Sequence, residues 1–508
     1  MVAPLPSLLK SLLPSLLLAS LLLPAAPCAP CPPCAPAQDA PHEAPRLRYT
    51  ARSEPSAALT VVNQRLLARH FGRGRAPRLA LALRRDAAAP LDAGVVEIDF
   101  AGSAPLVAEE HQLRLQDGVV TAACDEGERR LLGDVVALRA DPLLLLRWRA
   151  NGGPFSLRLA WRAAAGDAAS ERASDANRAT LLLRGAGVDG ALRATCVGGR
   201  LEARDGALEV RDAYALVVLV TLAAAPATDA GDPLAALAAC QATLAAATAR
   251  PLDELLARHE AAEAERFGDF TLELGDLADV AERRLATTDA RLRRFAQGAD
   301  DPDLVATWFL ATRRALLDQR PEAEQRATAA RWLATPSAWC AALPSTDRFE
   351  RFAAERGRRD GDAAWAALAP LLARESGDDL RPLAPDGGAA AIAATTALAT
   401  LLLDERDGAL ALLPALPRTW GDGLLRSWRT PSGAVVDLRW SDGALDAARL
   451  TAESARALRL RLPEGDFEVV ALAADGTPSA PLAVQRPAPR ELVVDAPAAT
   501  PLLLQRRR

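Results

Sequence analysis

Apolar and polar residues alternate along much of the first half of the chain. In "VEIDFAG", "HQLRLQDGVVTAAC", "LRLAW" and "GRLEARDGALEVRD" the character changes at nearly every step. That is the period of a strand with one buried face. Asp117-Gly118 and Asp205-Gly206 stand between such runs, where hairpins turn. Many short strands between about Arg48 and Ala225 predict a large antiparallel sandwich, with "AAGDAASERASDANRA" as a surface loop in it.

The period then lengthens. Asp232-Pro233 reads as an N-cap and a first-turn proline, and "LAALAACQATLAAATA" continues as helix. After Pro251, the residues Leu252, Leu255, Leu256, His259 and Ala262 recur at helical spacing. "FTLELG" predicts one strand closing this linker, and a second helical stretch runs from about Asp276 to Asp404. Within it Asp301-Pro302 opens a helix with Leu304, Val305, Trp308, Phe309 and Ala311 as its apolar face. Further helices are expected near Arg326 to Leu333, Ala363 to Ala373 and Ala389 to Leu403.

In "LALLPALPRTWGDG" (Leu410 to Gly423), Pro414 and Pro417 are expected to end the last helix. Trp420 is expected to pack where helical and β layers meet. "AVVDLRWSDGALDAARL" returns to a period of two. It predicts a hairpin with Val436, Leu438 and Trp440 on one face and Asp442-Gly443 at its turn.

The resulting fold class is multidomain α and β: an N-terminal antiparallel β-sandwich, a helical linker, a truncated α/α helical domain and a C-terminal β-sandwich. The boundaries fall at 48–230, 231–275, 276–405 and 406–508, after a signal peptide at 1–37 and a linker at 38–47.

Composition supports this division. A chain of 508 residues suggests about three domains. It is 50% hydrophobic and 25% charged, enough to bury several cores. The formal net charge is -5 and the longest basic block is Arg506 to Arg508, which argues against nucleic acid. Lys10, the apolar run Leu12 to Leu23 and Ala35-Pro36-Ala37 predict an export signal, with lipid attachment at Cys28 as a weaker option. No later segment is long and apolar enough to span a bilayer. Cys28, Cys31 and Cys34 have metal or redox spacing but lie among prolines beside the signal, so no metal and no cofactor is expected. Cys124, Cys196, Cys240 and Cys340 allow three disulfide pairings, with scattered buried thiols the simpler expectation.

Several residues invite chemistry. His259, on the apolar side of its helix, reads as an interface histidine bonded to backbone. Glu109 and Glu110 beside His111 suggest a metal site, but strand neighbours point to opposite faces and a solvated edge is expected. Asp301 is explained by capping, and Asp378-Asp379 by a loop. Trp308, Trp332, Trp339 and Trp365 offer faces for sugar stacking, yet at helical spacing they read as core. "GRG" at Gly72 to Gly74 lacks the strand–loop–helix setting of a phosphate loop.

"DPLAALAACQATLAAATARPLDELLARHEAAEAERFGDFTLELG" resembles the linker between β and helical domains in glycoside hydrolase family 95, the α-L-fucosidases and related enzymes. "TDARLRRFAQGADDPDLVATWFLATRRALLDQRP" is similar to the start of that family's (α/α)6 barrel, and "LALLPALPRTWGDG" with "VDLRWSDGAL" to its exit. The strands in "LQDGVVTAACDEGERRLLGDVVALRADPLLLLRWRA" resemble its sandwich.

The resemblance implies fucosidic hydrolysis with inversion, using a glutamic acid as general acid and a water activated by asparagine and aspartate. It also implies fucosylated or other glycans as partners. The chain departs from that pattern. No asparagine follows Asn177, no histidine follows His259 and no tyrosine follows Tyr214. About 130 residues, at roughly 20 per helix and loop, fall short of a twelve-helix barrel. Against that family's late aspartate, "PDGGAAAI" offers Asp386 as a relic with three residues lost after it, whereas a gap-free match from Ile392 puts the position at Leu383. Asp386 is the candidate catalytic residue the resemblance leaves. The expectation is therefore an exported glycan-binding protein without fucosidase catalysis. The alternatives are an active glycosidase with acid and base rebuilt from Glu355, Asp360 or Asp386, and a structural or interaction protein on the same scaffold.

Overall fold

The computed structural model describes residues 45–50, 58–85, 88–102, 106–164, 166–175, 178–185, 187–225, 234–268, 270–319, 347–375, 380 and 389–507. The expected signal and the run Cys28, Cys31, Cys34 lie outside the described residues. Ala44–Arg508 is one compact unit, ordered β, then helical, then β.

The N-terminal half holds two antiparallel sheets. The first runs β1 (Arg46–Tyr49), β6 (Ala108–Arg114), β7 (Val120–Glu126), β8 (Arg129–Leu138), β9 (Leu143–Asn151), β16 (Ala215–Ala224), β13 (Val188–Val197), β12 (Arg178–Gly185) and β11 (Gly166–Asp175). The second runs β14 (Arg200–Arg204), β15 (Ala207–Ala213), β10 (Phe155–Arg162), β5 (Ala88–Phe100), β4 (Ala76–Arg85), β3 (Leu66–Arg73) and β2 (Leu59–Val62). Alternation puts every second side chain inward. Leu79, Val96, Ile98 and Leu159 of one sheet share a core with Val135, Leu146, Trp148 and Val218 of the other. The segment read as a surface loop is instead strand β11, paired along its length with β12. Its neighbour carries "TLLL", and backbone pairing with that apolar strand outweighs local polarity.

Within the first sheet, the cross-strand neighbour Trp148 leaves no slack at Gly133. A Cβ there would stand 2.5 Å from Trp148 Cη2. Gly133→Ala should therefore cost about 1–3 kcal/mol by overpacking, read as a lower urea midpoint. Gly357→Ala, with nothing within 4 Å of the added carbon, should leave the midpoint unchanged or raised.

Helix α1 (Ala235–Thr248) lies on the outer face of the first sheet, burying Leu237, Cys240, Leu244 and Ala247 against Val136, Leu138, Leu145 and Leu219. Its N-cap is Leu234, not Asp232, which lies outside the described residues. Helix α2 (Leu252–Phe267) follows with Pro251 as N-cap, where its missing N–H costs nothing. Then come α3 (Leu277–Arg283), α4 (Thr288–Ala296), α5 (Pro302–Gln319), α6 (Asp347–Gly357), α7 (Gly361–Glu375) and α8 (Ala389–Leu402). The helix expected near Arg326 to Leu333 lies outside the described residues. Among the described residues no helix is long and apolar enough to cross a membrane.

The C-terminal part also holds two sheets. One runs β17 (Thr271–Leu274), β20 (Gly423–Arg429), β21 (Ala434–Ser441), β22 (Ala444–Ala452), β28 (Pro501–Arg506), β24 (Phe467–Leu472) and β25 (Pro478–Pro481). The other runs β18 (Leu403–Arg406), β19 (Ala409–Leu412), β23 (Arg456–Arg461), β27 (Glu491–Ala496) and β26 (Gln485–Ala488). The strand expected at "FTLELG" is present, but its partner does not lie in the linker. As β17 it pairs with β20 across the whole helical stretch, and Gly275 N–H donates to the Asp422 carbonyl at 2.9 Å.

Pro414 and Pro417 do not end the last helix either. It stops at Leu402, and the β18–β19 hairpin intervenes. Trp420 is placed as expected. It is buried, packs on Trp365 of α7 with centroids 5.2 Å apart, and its carbonyl accepts the Trp440 Nε1–H at 2.8 Å.

Candidate functional site

The densest group of ionisable side chains lies where three elements meet. Helix α2 carries His259, Glu263, Arg266 and Phe267 at spacings of four, seven and eight residues, hence on one face. Helix α5 brings Arg313, Arg314 and Asp318, and the turn after β8 brings Arg139. Arg139 Nε donates to Glu263 at 3.0 Å and Nη2 to Asp318 at 3.0 Å. Arg266 Nη2 donates to Asp318 at 2.8 Å, and Arg314 Nη1 to Glu263 at 3.3 Å. Glu263, Asp318, Arg139, Arg313 and Arg314 are all at most 3% exposed. Arg313 lies apart from the carboxylates, its guanidinium carbon 4.7 Å from the ring centroids of both Phe267 and Phe270.

His259 completes the group. Its Nδ1 accepts the Arg139 backbone N–H at 3.2 Å and its Nε2–H donates to the Asp117 carbonyl at 2.9 Å. Both nitrogens are consumed by backbone, as expected for an interface histidine. Burial lowers its pKa, outweighing the pull of Glu263, so the ring stays neutral.

This arrangement can hold elements together, but it cannot protonate a leaving group. Burial would raise the Glu263 pKa, yet Arg314, Arg139 and Arg266 outweigh it and hold the carboxyl below its usual range. A general acid at neutral pH needs the reverse shift. A second cluster has the same character. Arg291 forks onto Asp301 at 2.8 and 2.7 Å and reaches Asp303 at 2.9 Å, while Arg284 meets Asp303 at 2.7 Å. Asp301 also accepts the Leu304 N–H at 3.0 Å, the expected cap.

The other expected residues are placed as follows. Asp386 lies outside the described residues, as do Asp378, Asp379, Trp332, Trp339 and Cys340. Glu355 pairs with Arg358 at 2.8 Å on α6, and Asp360 caps α7 through the Ala363 N–H at 2.9 Å. Trp308 and Trp365 are buried core. Cys124 and Cys240 are buried free thiols, and Cys196 is buried as well. "GRG" turns the β3–β4 hairpin.

The region of Glu109, Glu110 and His111 corrects the solvated-edge expectation. His111 is 3% exposed and faces inward with Glu109, whose carboxylate takes its Nε2–H at 2.8 Å and the Gly74 N–H at 2.6 Å. Glu110 faces the other way and pairs with Arg48. Across the core stands His70, a residue not singled out from the sequence. Its ring centroid is 5.2 Å from that of His111, it is fully buried, and neither ring nitrogen has a hydrogen-bond partner among the described residues. The signal was its inward position in the alternation of β3, beside Ala68 and Leu66. Among the described residues no group of three or more histidine, cysteine or carboxylate side chains is placed to hold a metal.

Comparison with known proteins adds one assignment. Residues 405–481 match the C-terminal domain of glycoside hydrolase family 95, which bears out the resemblance read in the sequence. No curated protein matches the chain. Among solved structures, one described as a kojibiose phosphorylase from human microbiome is similar at 7% identity with a TM-score of 0.40, over 89% of this chain and 98% of that one. A bacterial glucoamylase complexed with acarbose is similar at 8% identity with a TM-score of 0.29, over 53% and 43% of the two chains. At such values neither likeness assigns an activity.

Proposed function

With residues 405–481 carrying the C-terminal domain of glycoside hydrolase family 95, we propose that this is an exported glycan-binding protein on an abridged fucosidase-like scaffold. It has lost fucosidic hydrolysis. One observation carries this reading: no asparagine follows Asn177. Inverting hydrolysis needs a protonated carboxyl on one side of the bond and an activated water on the other. The family's water-activating asparagines therefore have no counterpart in the helical stretch. The pairing of Glu355 with Arg358 and the capping role of Asp360 support the same conclusion, since both carboxylates already have partners.

The test is direct. Purified full-length protein incubated with 4-nitrophenyl α-L-fucoside and with fucosyllactose should release no fucose above the rate without protein, while binding fucosylated or related glycans on an array. Fucose release that disappears on Asp386→Asn would overturn the loss of catalysis. Absence of both turnover and array binding would overturn glycan binding and favour a structural role.

A further inference from the structure

The cluster between α2 and α5 does not balance its charge. Among the described residues, Arg139, Arg266, Arg313 and Arg314 contribute four positive charges, against Glu263 and Asp318 within the cluster and Asp117 acting on Arg314 from its edge. Donors are also in excess. Among the described residues, Arg139 Nη1, Arg266 Nε, and Arg313 Nε and Nη1 are buried and make no hydrogen bond. Arg313 is the extreme case. Its Nη2 donates to the Phe267 carbonyl at 2.9 Å, and it has no carboxylate partner among the described residues. Among the described residues, the charge acting on it is the like charge of Arg266.

Deprotonation does not resolve this. Burial lowers the Arg313 pKa only to about 9, so the guanidinium keeps its charge at neutral pH. The faces of Phe267 and Phe270 attract the cation but accept none of its N–H groups in a conventional hydrogen bond. A buried cation needs a counter-charge, and a buried donor needs an acceptor.

We propose that Arg313, clasped by Phe267 and Phe270 beside Arg266, binds a small inorganic anion of the chloride class. A monatomic, weakly hydrated anion fits the observations best. It accepts hydrogen bonds from any direction, carries the missing charge, and suits a guanidinium that is 3% exposed. The site is independent of the glycan-binding reading, since it touches no residue on which that reading rests.

The experiment is thermal unfolding of the full chain at constant ionic strength, with gluconate replaced stepwise by chloride or bromide. A saturable rise in Tm of about 2–4 °C is expected, and Arg313→Met should abolish it. A flat wild-type response, or an equal response in the variant, would overturn the site. Should Arg313→Met fail to fold, anomalous diffraction from wild-type crystals grown in bromide decides. A peak against Arg313 Nε or Nη1 supports the site, and no peak there overturns it.

Discussion

Glu263→Leu is expected to destabilise the protein by about 3–5 kcal/mol, the range for removing one partner from a buried ion cluster. Glu263 accepts from Arg139 at 3.0 Å and from Arg314 at 3.3 Å, and Arg266 stands at 3.4 Å. Without it, the guanidiniums of Arg139, Arg266 and Arg314 keep Asp318 as their shared carboxylate. The loss is read as the shift in urea midpoint at constant m-value. Glu263→Gln should be milder, because an amide oxygen still accepts one donor. The double variant Glu263→Leu/Arg314→Met should cost less than the sum of the two single changes, since the second removes a charge stranded by the first. A loss below about 1 kcal/mol in Glu263→Leu would contradict a charged network. The acid limb has a definite sign. The folded carboxyl is held below 4.5, so its contribution is present above that pH and fades as pH falls through the lower folded value. Glu263→Leu should lack that component of acid sensitivity.

The second large effect is at His70. Burial, reinforced by His111, pushes its pKa from 6.5 to about 3. The unfolded chain binds the proton that the native core refuses. Stability is therefore complete above pH 6.5 and declines as pH falls toward 3. A difference of about 3.5 pH units at roughly 1.4 kcal/mol each gives about 5 kcal/mol across that window. His70→Phe should flatten the plot of unfolding free energy against pH between 6 and 4, and leave stability at pH 8 within about 1.5 kcal/mol of wild type. Equal acid sensitivity in wild type and His70→Phe would assign the effect elsewhere.

What was legible in the sequence followed from local chemistry. Asp205-Gly206 and Asp442-Gly443 turn as expected, with all four residues at positive φ. The helix after Pro251 was announced by apolar spacing and the helix at Pro302 by its cap and apolar face, while those expected near Ala363 to Ala373 and Ala389 to Leu403 are also present. The β18–β19 hairpin, which turns at Asp407-Gly408 with φ 53° and 68°, was not read from the sequence. The apolar run from Ala389 to Leu403 masked it, because an Ala-Leu-rich stretch reads as continuous helix. Strand β11 escaped because its polar sequence has no preference that survives pairing with β12. The ion cluster escaped for a different reason. Arg139 is 124 residues from Glu263 and 179 from Asp318, and no spacing rule links residues that only the tertiary fold brings together. Candidate chemistry read from residue types alone was legible mainly as exclusions.

The pairing of β17 with β20, closed by the Gly275–Asp422 bond, makes the helical stretch a single excursion from one β-sheet. Its two ends are fixed by main-chain hydrogen bonds that belong to the sheet. The entropic penalty for closing such an excursion grows only with the logarithm of its length, by about 0.6 kcal/mol per doubling. A long ring of helices and a much shorter run can thus leave and re-enter the same sheet at nearly the same cost. Helices can be gained or shed between Gly275 and Asp422 while the β register stays fixed, so the length of this region is free to vary independently of the sandwich that anchors it.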